Sequence, residues 1–206
     1  MIVAAVLAGS AVGWALTRRL ATLGYRKPDE TDQPAPASQW WLIPGLGIAW
    51  AWLVLATAER PTLMVMWLPL AAALGWVAAV DLDVQRIHNR VLGPAAVWVG
   101  VCVAALAMSE GSWDAVTRGV LAGAGSFLGF AALHVASRGG LGFGDVKLAA
   151  LLGVAVGVIS LTALLAALLL GCVLALLWAV ITRRRELPFG PWLGLGAVIA
   201  AGLPSF

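Results

Sequence analysis

Apolar stretches of about 20 residues, separated by short polar loops, run through this chain from end to end. That spacing restricts the fold more than any other feature. About 20 apolar residues are what a helix needs to cross the hydrocarbon of a bilayer. In lipid every backbone N–H and C=O must be paired internally, so a spanning segment of this kind is helical. The stretches lie at 1–17, 40–58, 61–80, 91–109, 118–136 and 190–206, with a longer one at 147–182. At about 1.5 Å per residue the longer stretch would reach about 54 Å, against a hydrocarbon core of about 30 Å, so it should divide near 157–162. Of the residues, 62% are hydrophobic and 11% charged, where a soluble domain carries about 25% charge. The expected fold is all-α, a polytopic membrane helical bundle of about eight transmembrane helices. Residues 1–206 are expected to form a single integral-membrane domain.

The placement of the charges orients that bundle. With the N-terminus outside and eight crossings, Arg18, Arg19, Arg26, Lys27, Arg86, Arg90, Arg138, Lys147, Arg183, Arg184 and Arg185 fall inside, and only Arg60 and Arg118 outside. Such a bias follows the positive-inside rule. It predicts cytoplasmic loops at 18–39, 81–90, 137–147 and 183–189. Treating 147–182 as one span would move Arg183 to Arg185 outside and spoil the asymmetry. Trp40, Trp41, Trp113 and Trp178 lie near span ends and fit an interfacial belt.

Several function classes drop out. A net charge of +3 gives no reason to expect a nucleic-acid partner; the membrane lipid is the expected surrounding. Cys102 and Cys172 sit in apolar segments without a C-x-x-C pair, so they read as small buried side chains, with no metal site or redox motif. The first stretch has no positive residues before it, and Arg18 and Arg19 after it, so it reads as a retained span and not a signal peptide. The segment 18–39, with Arg26, Lys27, Pro34 and Pro36, reads as a polar loop without a core.

Against this background two aspartates stand out. Asp81 closes the apolar run 70–80, and Asp145 ends the glycine-rich segment Gly139-Gly140-Leu141-Gly142-Phe143-Gly144-Asp145. Ionisable groups beside the hydrocarbon core are costly and mark function. Both fall on the predicted cytoplasmic side, from different loops. Peptide hydrolysis by carboxylates needs two of them. One is ionised and takes a proton from water; the other is protonated and polarises the scissile carbonyl. Close like charges produce that state and titrate as a pair. Gly142 and Gly144 carry no Cβ, so an extended substrate could approach the carboxylate there. Asp83 reads as a solvated loop charge, and His134 as a buried helix-packing residue.

Three segments then carry a resemblance. Asp81-Leu82-Asp83-Val84-Gln85-Arg86-Ile87-His88-Asn89 is similar to the D-x-x-x-x-x-I-P-N segment of prepilin peptidases, also called type IV leader peptidases. Gly142-Phe143-Gly144-Asp145-Val146-Lys147-Leu148, followed by Gly153, resembles their G-x-G-D-x-K-L…G motif. Leu187-Pro188-Phe189-Gly190-Pro191-Trp192-Leu193 resembles their I-P-F-G-P-F-L signature. His88 stands where those proteins have proline, which leaves the loop freer and adds a titratable group.

The resemblance implies a membrane aspartic endopeptidase of the GxGD type, with Asp81 and Asp145 catalytic and no cofactor. It implies prepilin or pseudopilin precursors as partners, cut at the cytoplasmic face of a prokaryotic inner membrane. Gly142, Gly144 and Lys147 are the expected substrate-binding residues, Lys147 serving alternatively as an interfacial anchor. Longer members carry a domain with paired C-x-x-C motifs, linked to N-methylation, between the first two spans. Here the short loop 18–39 stands in its place, which resembles the short forms serving Tad or Flp-type pili. The rival from another class is a transporter or assembly scaffold using Asp81 and Asp145 as ion or proton sites.

Overall fold

The computed structural model describes residues 1–203 apart from 31, 35, 37 and 184–186. Among the described residues it is helical throughout, with no strand. The elements are α1 (Ile2–Leu20), α2 (Leu42–Ala56), α3 (Pro61–Val84), α4 (Asn89–Glu110), α5 (Asp114–Ala136), α6 (Phe143–Gly157), α7 (Leu161–Thr182) and α8 (Gly190–Ala201). The long apolar stretch does divide, between Gly157 and Leu161. No proline marks the break. Ser160 makes it, as an extended N-cap whose hydroxyl accepts the Ala163 N–H at 2.9 Å. Pro61 opens α3 at a position where no N–H is needed.

The expected number of crossings is corrected. Among the described residues four helices, α3, α4, α5 and α7, are long and apolar enough to cross a membrane. Helices α2 and α6 have 15 residues each and α8 has 12; at about 1.5 Å per residue these reach only about 18–23 Å. Helix α1 carries Arg18 and Arg19 in its last turn. Arg184, Arg185 and the tail 204–206 lie outside the described residues.

Packing rests on small residues, as expected where lipid tails are as apolar as the helices themselves. On α5, Gly119 and Gly123 face Gly153 and Gly157 of α6. A methyl group on Gly153 would stand 2.7 Å from Ser126 Oγ and 2.8 Å from the Ala122 carbonyl oxygen. Leucine at Gly153 is therefore expected to force α5 and α6 apart and cost about 1–3 kcal/mol or more. Thermal unfolding in detergent should show the loss, while Gly129→Leu, in open space on α5, should leave the transition unchanged.

Helices α3 and α6 hold the centre. The side chain of Trp67 on α3 is fully buried, as are Val146 and Leu148 on α6. Helices α4 and α8 pack on both and bridge them. Of the cysteines, Cys102 is buried as expected, but Cys172 is exposed on the flank of α7. The segment after α1 is also more structured than a polar loop. Leu20 and Tyr25 pack into a small cluster with Leu42, Ala79 and Val80, and Pro28–Glu30 form a 3-10 turn.

Candidate active site

One end of the bundle collects all three motif segments. Asp81 lies in the last turn of α3 and is buried, 4% exposed. Its Oδ2 accepts the Gly190 N–H at 3.0 Å, from the first residue of α8, where backbone donors have no helical partner. Asp145 lies in the first turn of α6. Its N–H donates to the Gly142 carbonyl at 3.0 Å, which folds the glycine loop back over the carboxylate. Its Oδ1 is buried without a hydrogen-bond partner. The two carboxyl groups are close enough for their charges to interact. Thus Asp81 and Asp145, 64 positions apart in the chain, share one site.

Ile87 is the wedge between the segments. A methyl group on Gly144 would come within 3.0 Å of Ile87 Cβ, and one on Gly190 within 3.3 Å of Ile87 Cδ1. The missing Cβ of Gly144 therefore makes room for Ile87, and the surface that stays exposed is that of Gly142. Lys147 donates to Asn89 Oδ1 at 3.1 Å and lies 5.1 Å over the Phe143 ring. It ties the N-terminal part of α6 to the first turn of α4. Ile87 and Asn89 stood in the matched segment without an assigned role; only the packing reveals one.

Two readings of single residues are corrected. Asp83 is not a solvated loop charge. Arg26 grips it with two bonds, Nη2 to Oδ1 at 2.7 Å and Nε to Oδ2 at 2.9 Å, and Tyr25 donates its hydroxyl to Oδ2 at 2.7 Å. Burial first, then the bond to Asp83, pushes the Tyr25 phenol up to about 12. His134 is half-buried and bonds through Nδ1 to the Leu141 carbonyl, with its ring 5.7 Å from Phe143. It braces the glycine loop, a role that a position inside an apolar span did not suggest.

His88 caps the N-terminus of α4 in extended conformation. Its Nε2 lies 3.0 Å from Arg86 Nη2, so the ring accepts there and is neutral. Arg86 in turn bonds Glu30 at 2.7 Å. Burial, followed by the Arg86 charge, holds the His88 pKa below its ordinary 6.5; the Tyr25 backbone and then Glu30 oppose this, and Lys27 adds to it. A histidine with a lowered folded pKa binds fewer protons folded than unfolded, so as pH falls below 6.5 proton uptake increasingly favours the opened state. Hydrogen exchange over 22–34 and 85–90, corrected for its intrinsic pH dependence, should therefore quicken between pH 7.5 and 5.5. His88→Gln should flatten that difference.

Among the described residues no cluster of three or more His, Cys, Asp or Glu could hold a metal ion. The arrangement can offer a buried carboxyl group, Asp81, bonded to a backbone N–H, and a half-buried one, Asp145, with a free oxygen, beside an exposed glycine surface. The sequence model of the type IV leader peptidase family matches residues 68–180, a segment that includes both Asp81 and Asp145. No curated protein and no solved structure matches the chain.

Proposed function

Because this chain belongs to the type IV leader peptidase family, and so is a membrane peptidase with a protein substrate, we propose that it is an aspartic endopeptidase. Its proposed substrates are precursors of type IV pilins or pseudopilins of the Tad or Flp kind, from which it removes a short basic leader. The observation that carries this reading is the convergence of Asp81, Asp145 and the Gly190 N–H at one end of the bundle.

The chemistry follows from the pair. One ionised carboxylate takes a proton from water as its oxygen attacks the scissile carbonyl. The other, protonated, donates to the carbonyl oxygen as charge builds there. Collapse of the tetrahedral intermediate breaks the C–N bond, and a proton passes to the leaving amine. The exposed Gly142 surface is the proposed seat of the substrate backbone, with Gly144 and Lys147 holding the loop and helix start that present it.

The orientation is proposed on charge. The segments joined here, 25–30 to 83–86, Asn89 to Lys147 and Gly190 to Asp81, share one end of the bundle. That end holds Arg18, Arg19, Arg26, Lys27, Arg86, Arg90, Arg138, Lys147 and Arg183, and the opposite end Arg60 and Arg118. Such a bias supports a cytoplasmic site. The protein reconstituted in vesicles and given a precursor with a basic leader ending in glycine should release that leader, identified by product mass. An intact precursor, or cleavage away from the leader junction, would reject the assignment.

A further inference from the structure

We propose that the cleft between α1, α3 and α4 is a binding site for an anionic phospholipid of the surrounding leaflet. It has a volume of about 1350 Å³, larger than the roughly 300–1,000 Å³ of a small-molecule pocket. The proposal is independent of the peptidase reading.

The floor of the cleft is one face of α3, with Pro69, Ala72, Ala73 and Trp76 at i, i+3, i+4 and i+7. One wall is α4, with Val91, Pro94, Ala95 and Trp98 at the same spacing. Helix α1 packs on α2 and α3 but forms no extensive contact with α4, so the trough between them stays open. Pro94 and Trp98 are exposed, so the trough opens sideways, as an acyl chain entering from the bilayer requires.

The mouth is of opposite character. Arg19, Lys27 and Arg90 line it, and all three are exposed. None of them forms a salt bridge among the described residues; of the acids nearby, Asp83 and Glu30 are held by Arg26 and Arg86. The edge of Trp76 meets Tyr25, ring centroids 6.4 Å apart, and places an aromatic layer between mouth and trough, as at a headgroup boundary. A cationic mouth above an apolar trough complements a phosphate joined to an acyl chain. It repels a basic leader, and the apolar walls give a free inorganic anion nothing to hold.

The test uses the full chain in micelles containing equal phosphatidylglycerol and phosphatidylcholine, washed and weighed by native mass spectrometry. Retained phosphatidylglycerol should exceed phosphatidylcholine by about tenfold. Joint Arg19→Gln, Lys27→Gln and Arg90→Gln replacement should erase that preference. Ala95→Phe, which fills the trough without touching charge, should lower retention of both lipids at an unchanged unfolding temperature. Equal retention of the two lipids by the unaltered chain would overturn the proposal. So would a preference that survives the triple replacement, or displacement of phosphatidylglycerol by equimolar inorganic phosphate. Should Ala95→Phe fail to fold, the triple replacement decides alone.

Discussion

Asp81→Asn and Asp145→Asn are each expected to lower leader cleavage by about 10²–10⁴-fold or more, the range associated with losing a positioned acid or base. Asparagine keeps the size of the side chain and an oxygen that can accept the Gly190 N–H, so the helices should fold as before. What it removes is the proton that one carboxyl group must give and the other take. The losses should not add: once either carboxyl group is gone the pair no longer works, and the double variant should be no slower than the worse single one. Rates by product mass, with helix content and unfolding temperature as folding controls, decide the matter. Substantial turnover by Asp81→Asn would remove Asp81 from the pair. An active Asp81→Asn together with a dead Asp83→Asn would show that the register of the first segment had been read two residues out.

Much of this arrangement is legible in the sequence. Apolar length located the eight helices, because lipid leaves a spanning backbone no alternative to helix. The number long and apolar enough to cross is smaller, since stretch 190–206 yields a helix of 12 residues and 40–58 one of 15, α1 carries Arg18 and Arg19 in its last turn, and the apolar segment after Lys147 stops at the Ser160 cap. That cap was available as a signal: serine followed by an apolar run is a helix start. Asp81 and Asp145 were legible because charge is rare in such a chain. Their partners were not. Ile87 looks like any apolar residue, and its role depends on two glycines far away in sequence. Gly190 stood in the third matched segment without an assigned role, and what it supplies is an N–H to Asp81. Arg26 and Asp83 are 57 positions apart, and no local pattern joins them.

That last pair carries the second large effect. The Arg26 guanidinium reaches beyond Asp83 to the carbonyls of Gln33 and Pro34, at 3.0 and 2.8 Å. Arg86 adds a bond to the Tyr25 carbonyl at 3.2 Å besides its pair with Glu30. The loop thus grips the end of α3 two residues from Asp81 and the connection carrying Ile87. Loss of the grip should let Ile87 shift between Gly144 and Gly190, and a displacement of about 1 Å at a reacting group can cost about 10²-fold. Asp83→Ala and Arg26→Ala are each expected to reduce kcat by roughly 10- to 100-fold with little change in KM. Asp83→Asn, which keeps an acceptor for Tyr25 or Arg26, should retain much of the activity. Because the two side chains act on each other, the double alanine variant should fall no further than the worse single one. Hydrogen exchange over 22–34 should quicken in the alanine variants in step with the loss of kcat. Faster exchange with an unchanged rate would mean that the loop is merely fastened there, and that Asp81 and Ile87 hold their places without it.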